Sequence, residues 1–185
     1  MNKKEVDLSS FKHSLHLSIL DKLKYAFWLV ISNFFFLTNI PYPIKLKVGI
    51  LRLLGAKIGK SCIIKPWVKI KFPWKLELGD HVWLGESAWI DNISKVSIGN
   101  HVCISQNALI LTGNHDYTLS SFDLMSKPIN IEDGVWICAN ATITGGVNVA
   151  SHSVIGLGQI ITKNTLPYEV YGTRAATLIK KREIK

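Results

Sequence analysis

The residues best suited to chemistry lie in one segment, LTGNHDYTLSSFDLMSKPIN, which spans residues 111–130. Asn114 and Asp116 flank His115 there, and imidazole is the side chain that titrates nearest to neutral pH. Such a residue can take up or release a proton at a reacting group. His115 is therefore a candidate for acid–base chemistry. The sequence leaves two roles open for Asp116, which could orient the imidazole or simply face the solvent.

The elements that must position this segment are marked by a six-residue repeat of aliphatic residues, which runs from Ile58 to Ile161. The residue four positions after each aliphatic one is mostly small or β-branched. A period of six fits neither an α-helix nor an alternating strand, and it is typical of a parallel β-helix. We therefore predict an all-β fold with a parallel β-helix over residues 58–166. A helical segment over residues 1–57 precedes it, and a tail or short helix over 167–185 follows.

The repeat also predicts the number of coils and the place where one coil opens. The first coils are 20 residues long, because the register slips by two after every third repeat, and the last two coils are 18 residues long. About five coils at about 4.8 Å each give a column about 24 Å tall. The repeat fails between Ile110 and Ile131, which predicts an extruded loop over residues 112–130. Long loops on rigid scaffolds are common places for function.

Composition and charge exclude several classes of protein. The chain has 185 residues, of which 48% are hydrophobic and 19% charged, so it is a folded domain rather than a disordered chain. The net charge of +9 divides into +6 over residues 1–57, −1 over 58–171 and +4 over 172–185. A nucleic-acid-binding domain is expected to carry a basic stripe on its folded body. Nucleic acid is therefore not a predicted partner.

Cysteines and the remaining histidines suggest no metal centre. Three cysteines without a CxxC pair predict neither a disulfide framework nor a zinc site, and they suit a reducing cytosol. His81, His101 and His152 share one position of the repeat, which places them at corners of the coil. We predict no metal ion.

The N-terminal segment contains sixteen residues without a charge, YAFWLVISNFFFLTNI at positions 25–40. A spanning helix needs about 20 apolar residues, so we do not predict one. Lysines flank this run, which allows a peripheral membrane contact through residues 22–47, with the lysines on anionic head groups. The alternative is a helix packed on the main domain or on a neighbouring subunit. The next stretch, IKLKVGILRLLG, predicts a short helix that ends at Gly55.

Three stretches give the chain a family resemblance: LTGNHDY at 111–117, KPINIEDGVWI at 127–137 and VIGLGQIITKNTLP at 154–167. With the repeat, they resemble the hexapeptide-repeat acyltransferases, and in particular the branch of colanic-acid and exopolysaccharide O-acetyltransferases. The resemblance covers about residues 50–182. It implies a left-handed coil, a homotrimer, and a groove between neighbouring β-helices that binds acetyl-CoA.

The same resemblance implies roles for individual residues. His115 matches the general base of the family, which lets the acceptor attack acetyl-CoA directly, without a nucleophile from the protein. The positions that match the acetyl-CoA site are Ala139, Gly145, Gly158, Thr162 and Lys163. The chain departs from the family after Gly172, where the usual Gly-Asn-Pro-Ala turn reads Gly-Thr-Arg-Ala.

Residues for the acceptor are less clearly marked. Asp91 and Asn92 lie one coil below the start of the loop, because adding 20 residues reaches Leu111 and Thr112. The candidate acceptor-binding or orienting residues are Asp91, Asn92, Asn114, Asp116 and Tyr117.

We expect an acetyl-CoA-dependent O-acetyltransferase that modifies a sugar hydroxyl in surface polysaccharide biosynthesis. Its expected location is the cytoplasm, with the inner face of the cytoplasmic membrane as an option. Two alternatives are an N-acetyltransferase of an amino sugar and a non-catalytic β-helical scaffold or membrane-associated assembly protein.

Overall fold

The computed structural model describes residues 5–11 and 17–172, and it begins with two helices. Helix α1 spans Ile19–Phe35, and the Ser18 side chain caps its first turn by accepting the N–H of Asp21 at 3.1 Å. Helix α2 spans Ile44–Leu53. Gly55 follows it with a φ of +95°, which confirms the predicted end of the helix. The predicted C-terminal helix falls largely on residues 173–185, outside the described residues.

Eighteen strands of two or three residues follow within the described part of the chain; sixteen of them wind upward in coils, and two form a hairpin. The first coil holds β1 (Lys57–Ile58), β2 (Ile63–Ile64) and β3 (Lys69–Ile70), and the second holds β4 (Leu76–Leu78), β5 (Trp83–Leu84) and β6 (Trp89–Asp91). The third coil holds β7 (Val96–Ile98), β8 (Cys103–Ile104) and β9 (Leu109–Leu111), and a hairpin of β10 (Gly113–His115) and β11 (Leu124–Ser126) follows it. Above the hairpin lie β12 (Ile129–Ile131), β13 (Trp136–Ile137) and β14 (Thr142–Thr144), then β15 (Asn148–Val149), β16 (Val154–Ile155) and β17 (Ile160–Ile161), and finally β18 (Val170–Tyr171). Short 3₁₀ helices lie at Leu8–Ser10 and Pro73–Lys75.

Each coil contributes one strand to each of three parallel sheets, which form the sides of a column. The sheet orders are β1-β4-β7-β12-β15, β2-β5-β8-β13-β16-β18 and β3-β6-β9-β14-β17. Aliphatic residues of the repeat pair directly across coils, as Ile58 with Leu78 and Leu78 with Ile98. They point inward and are almost all buried, so the column is filled by stacked like residues. The predicted parallel β-helix is confirmed.

The column has about six turns, so the prediction of five was wrong by one. Strand β18 pairs with β16 and gives one sheet a sixth member, beyond the predicted end of the β-helix at residue 166. The six-residue repeat missed it because Pro167 interrupts the pattern and a single strand carries no repeat. Inward-facing Tyr171 takes the place of an aliphatic residue there.

Two of the three corners are tight, and the third is wide. At the tight corners, residues with positive φ stack in columns, among them His81, His101 and His152, which therefore lie at corners as predicted. The wide corner follows the third sheet and holds the two extra residues of the 20-residue coils. The extruded segment leaves the column at this same corner, between β9 and β12.

The two helices close the lower end of the column. Trp28, Phe36 and Leu51 are buried there against the first coil, and the indole N–H of Trp28 donates to the carbonyl of Ile70 at 2.8 Å. The N-terminal segment therefore does pack on the main domain, as one of the two interpretations held. This contact uses only one side of α1. No helix among the described residues is both long and apolar enough to cross a membrane.

Candidate active site

The extruded segment is a β-hairpin rather than an irregular loop. Strands β10 and β11 pair antiparallel, with His115 opposite Leu124 and Gly113 opposite Ser126. The ladder extends to the base of the hairpin, where the Lys127 N–H donates to the Thr112 carbonyl at 3.0 Å, and the Thr112 N–H donates to the Asp91 carbonyl of the second coil at 3.2 Å. A rigid hairpin places His115 far more precisely than a free loop would.

His115 is held in place by Phe122, which lies on the other arm of the same hairpin. Its Nδ1 lies 2.8 Å from the carbonyl oxygen of Phe122, and the two rings stack with centroids 4.4 Å apart and planes 7° apart. A carbonyl oxygen can only accept a hydrogen bond, so Nδ1 must carry the proton and donate it. The lone pair of the neutral ring then lies on Nε2. This is the tautomer that a general base needs, with the other nitrogen anchored.

Beside His115 lies a cavity of about 540 Å³. Its walls come from the hairpin, from the first three coils and from the N-terminal arm, defined here as residues 5–11: Phe11, Lys71, Asp91, Ile93, Leu111, Gly113, Asn114, His115 and Leu124. The arm reaches the hairpin through its backbone, where the Asp7 N–H donates to the Ser120 carbonyl at 2.8 Å. The Phe11 ring lies 5.7 Å from the imidazole of His115. We call this space the His115 cavity.

A second cavity of about 260 Å³ lies on the other side of β10. It is lined by Leu111, Thr112, Gly113, Asn114, Met125, Ser126, Lys127, Thr144 and Gly145. Asn114 borders both cavities, and its Oδ1 accepts the N–H of His115 at 2.8 Å. Its amide Nδ2 is therefore the group of this side chain that can donate to a ligand. We call this space the Gly145 cavity.

Asp91 lies one coil below the start of the hairpin, opposite Leu111, as the sequence predicts, and it also lines the His115 cavity. Its side chain is largely buried, and Oδ1 lies 2.9 Å from Nζ of Lys71 in an ion pair that lacks hydrogen-bond geometry. A buried carboxylate beside a lysine is a polar spot in a cavity whose other walls are largely apolar. The pair combines an acceptor and a donor of hydrogen bonds.

Three of the other candidate acceptor residues, Asn92, Asp116 and Tyr117, are not among the residues that line the cavity. Asn92 is completely buried, and its side-chain amide bonds both the N–H and the C=O of Phe72, at 2.9 and 2.7 Å. At the wide corner, where no strand pairs with Phe72, the Asn92 amide supplies the hydrogen bonds that a strand would make. Both ends of this amide are therefore occupied, and we leave Asn92 out of the proposed site. Asp116 accepts from both the N–H and the hydroxyl of Thr118, and these bonds hold the pKa of Asp116 below its usual value. Tyr117 is 82% exposed on the hairpin.

The five residues predicted to bind acetyl-CoA flank the last two strands of the third sheet. Ala139 and Gly158 precede β14 and β17, and the Gly158 N–H donates to the Ala139 carbonyl at 3.0 Å. Gly145 follows β14, while Thr162 and Lys163 follow β17 and are exposed. The same sheet carries the hairpin at the end of β9. One face of the column therefore connects these five positions with the hairpin.

Gly145 has a structural task as well. A Cβ atom at this position would lie 2.6 Å from the Thr112 carbonyl oxygen and 3.2 Å from that of Lys127. Only glycine lets the top of the third sheet approach the base of the hairpin this closely. Gly145 thus fixes the position of the hairpin relative to that sheet.

The three cysteines are poor nucleophiles. Burial raises the pKa of the Cys62, Cys103 and Cys138 thiols, which disfavours the reactive thiolate. Within residues 5–11 and 17–172, no group of three or more His, Cys, Asp or Glu side chains is arranged to hold a metal ion. The absence of a metal from the reaction stays a prediction.

Three residues around His115 were not predicted from the sequence: Phe11, Lys71 and Phe122. Phe11 lies about 100 residues from the loop in the chain, and nothing in the repeat could place it there. Lys71 could have been found, because it lies one 20-residue coil below Asp91. Phe122 was visible only as one of several apolar residues in the loop.

A parallel β-helix with a histidine on an extruded hairpin defines the class of β-helical acyltransferases, and comparison with known proteins agrees. The chain is 31% identical over 176 residues to an Escherichia coli protein with the provisional name colanic acid biosynthesis acetyltransferase WcaF. The match covers 95% of this chain and 97% of that protein. It is 28% identical to the galactoside O-acetyltransferase of Escherichia coli, over 69% of this chain and 64% of that one.

Solved structures share the fold. A hexapeptide-repeat acetyltransferase of Vibrio cholerae, crystallised with acetyl coenzyme A, superposes with a TM-score of 0.75 at 21% identity, covering 88% of this chain and 89% of that one. No protein-family model matches the chain. The chain belongs to the hexapeptide-repeat acetyltransferases, which are enzymes with the left-handed β-helical fold.

Proposed function

We propose that this protein transfers the acetyl group of acetyl-CoA to a hydroxyl group of a sugar, with His115 as the general base. The observation that carries the proposal is the 2.8 Å contact between His115 Nδ1 and the Phe122 carbonyl. In the neutral ring this contact puts the free lone pair on Nε2, and His115 lines a cavity with room for a saccharide. A hydroxyl is a weak nucleophile at neutral pH, and a positioned base is what it lacks.

The chemistry takes place in one ternary complex. His115 Nε2 removes the hydroxyl proton while the acceptor oxygen attacks the carbonyl carbon of the thioester. The C–S bond then breaks, the coenzyme A sulfur leaves, and the imidazolium returns the proton to that sulfur. The products are an acetyl ester and free coenzyme A. Asn114 Nδ2 is suited to donate to the carbonyl oxygen as negative charge develops on it.

The two cavities suit the two substrates. The His115 cavity takes the acceptor, with Asp91 and Lys71 bonding its other hydroxyl groups. The groove along β14 and β17 takes acetyl-CoA, so that its acyl end approaches through the Gly145 cavity. Lys163, exposed beyond β17, is suited to meet a phosphate group. Gly113 and Asn114 form the boundary between the two spaces, where the reacting atoms meet.

We propose that the active assembly is a homotrimer. The sheet faces leave large apolar side chains exposed, with Trp83 54%, Trp136 49% and Ile160 68% exposed. Faces of this kind suit contacts between columns, and a neighbouring column would close the open side of the acetyl-CoA groove. Sedimentation equilibrium of the wild-type protein tests this, since a monomer would contradict it.

The biological setting follows from one of the relatives. A relative that aligns over almost the whole chain is named for colanic acid biosynthesis, so the proposed acceptor is a saccharide of a surface polysaccharide. The proposed location is the cytoplasm, where acetyl-CoA is made.

The decisive experiment identifies the bond that is formed. Purified protein is incubated with acetyl-CoA and a panel of neutral and amino sugars, and the products are treated with alkaline hydroxylamine, which cleaves esters but not amides. We expect turnover with neutral sugars and hydroxylamine-labile products. Turnover confined to amino sugars with stable products would show N-acetylation instead, and a protein that binds no coenzyme A would contradict the proposal entirely.

A further inference from the structure

Helix α1 presents a continuous apolar stripe to the outside. Two adjacent residues begin the stripe, and the rest follow at intervals of three and four. Each member is between 56% and 77% exposed: Ile19, Leu20, Leu23, Phe27, Val30 and Phe34. Isolated exposed apolar residues need no explanation, but a contiguous stripe along a whole helix marks a binding surface. We call it the α1 face.

The α1 face is held in place by the opposite side of the same helix. Trp28 is 1% exposed and donates to the Ile70 carbonyl, while Phe36, just after the helix, packs edge-on against it. Lys24, in the second turn, lies over the Trp74 ring at 4.6 Å. Helix α1 therefore cannot rotate to bury its outer residues, and no residue within the ranges 5–11 and 17–172 covers the stripe.

The charge around the α1 face is strongly positive. Residues 17–76, which form the two helices and the first coil, contain eleven lysines or arginines and one aspartate, a net of +10. Residues 77–172 contain three lysines and nine acidic residues, a net of −6. The lower end of the column is thus basic, and Lys22, Lys45 and Lys69 are exposed there. This is the composition of a surface that meets an anionic partner.

We infer that the α1 face docks on an anionic phospholipid bilayer. An apolar helix face that lies in the interface, with lysines on the head groups, combines the two contributions that hold such proteins on membranes. A second copy of this chain fits less well, because contact between two copies would bring two ends of +10 together. An anionic bilayer would bury the apolar stripe and would also place negative head groups beside the lysines.

Docking in this way has a consequence for the His115 cavity. Lys71 lines both that cavity and a groove between α1 and the column that also includes Tyr25 and Leu29. Helix α1 and the acceptor site therefore lie on either side of Lys71. If the proposed function holds, an acceptor attached to a lipid would be presented beside the site.

Sedimentation with sucrose-loaded vesicles tests the inference on the full-length protein. The vesicles are phosphatidylcholine alone or phosphatidylcholine with a quarter phosphatidylglycerol. The L23E/F27E double variant is expected to lose at least about tenfold in partitioning to the anionic vesicles. The control L166E changes a leucine that is 61% exposed at the other end of the column, and it should bind as the wild type does.

A second pair of changes, K22Q/K45Q, tests the charge without touching the apolar stripe. Each lysine removed should weaken binding to anionic vesicles roughly fivefold and leave binding to neutral vesicles unchanged. Acetyl transfer to a soluble acceptor should stay at the wild-type rate in all variants, which separates a failure of docking from a failure of the proposed function.

Equal partitioning of the wild type and L23E/F27E would overturn the inference. So would binding of the wild type that is as strong to phosphatidylcholine alone as to the anionic vesicles. Two results together would show instead that the α1 face is a contact between copies of this chain. The wild type would bind neither kind of vesicle, and L23E/F27E would have a smaller sedimentation coefficient than the wild type.

Discussion

The carbonyl oxygen of Phe122 lies 2.8 Å from Nδ1 of His115, seven residues away across the hairpin. The Phe122 ring also stacks on the imidazole, so one residue fixes both the tautomer and the plane of the base. Phe122 has a φ of +51°, in the left-handed region that side chains other than glycine rarely adopt. Backbone strain of this kind persists where the surrounding structure requires it, and it often accompanies function.

Replacement of the Phe122 ring should lower the turnover rate. A stacked pair of aromatic rings is worth about 0.5–1.5 kcal/mol beyond its buried area, so F122L should reduce kcat about three- to tenfold without changing the KM for acetyl-CoA. F122Y keeps the ring and is expected to keep wild-type activity. Steady-state kinetics of both variants provide the check. Full activity in F122L would show that the backbone contact alone positions His115.

Phe11 should affect the acceptor and not acetyl-CoA. It forms a wall of the His115 cavity, so F11A is expected to raise the KM for the sugar several-fold and to leave the KM for acetyl-CoA unchanged. Leu8 lies in the same arm and is 64% exposed, and L8A serves as the matched control. If F11A changed the KM for acetyl-CoA and left the KM for the sugar unchanged, Phe11 would belong to the acetyl-CoA site.

Gly134 should be far more sensitive to substitution than Gly158, although both have positive φ, at +70° and +67°. A Cβ at Gly134 would lie 2.7 Å from Cδ2 of His152. A Cβ at Gly158 would have no neighbouring atom within 4 Å. The left-handed backbone alone costs alanine about 1–2 kcal/mol. G158A should therefore lower Tm by about 2–8 °C and G134A by clearly more.

The contact with His152 can be tested separately by calorimetry. Adding H152A to G134A should recover the excess loss of Tm, because it removes the ring that the new Cβ would strike. Equal Tm values for G134A and G158A would mean that the corner relaxes without cost.

Glu77 should make the fold sensitive to acid. It bridges Lys57 and Lys95 across neighbouring coils at 2.8 and 2.7 Å, and hydrogen bonds from these lysines lower the pKa of Glu77 to about 2. A carboxyl group whose pKa is lower in the folded state stabilises the fold above its unfolded pKa, about 4.5 here. The stabilisation is lost as the pH falls from about 4.5 to about 2.

Urea unfolding of E77Q as a function of pH measures this effect. At pH 7 the variant should be less stable by up to about 1 kcal/mol, since the pair is partly exposed, and the difference should vanish near pH 2. E86Q, which changes an exposed glutamate at a tight corner, is the control. A difference between E77Q and the wild type that is independent of pH would assign the loss to packing.

The fold could be predicted closely because each coil repeats the same physical requirement. An inward aliphatic residue every six positions satisfies the stacking of coils, and the two-residue slips mark the wide corner where the hairpin leaves. His115 could be selected as a candidate site residue because it lies in the segment where the six-residue repeat is interrupted. Ile58 and Ile155, near the two ends of the repeat, are both buried as the pattern requires.

The rest of the site depends on contacts between distant parts of the chain. Phe11 reaches His115 from an arm that has no repeat, and the backbone carbonyl of Phe122 carries no signature in the sequence. Asn92 looked like a group for the acceptor because it is polar and lies one coil below the loop. Its amide instead replaces strand pairing with Phe72, and the sequence has no means of distinguishing these roles.

The central claim is that His115 removes the acceptor proton, and the rate of acetyl transfer by H115A tests it most directly. A general base contributes about 10²- to 10⁴-fold, so kcat should fall by at least about 100-fold, while calorimetry shows wild-type affinity for coenzyme A and thermal unfolding shows an intact fold. Turnover by H115A within a few-fold of the wild type, with the same acetylated product, would contradict the account.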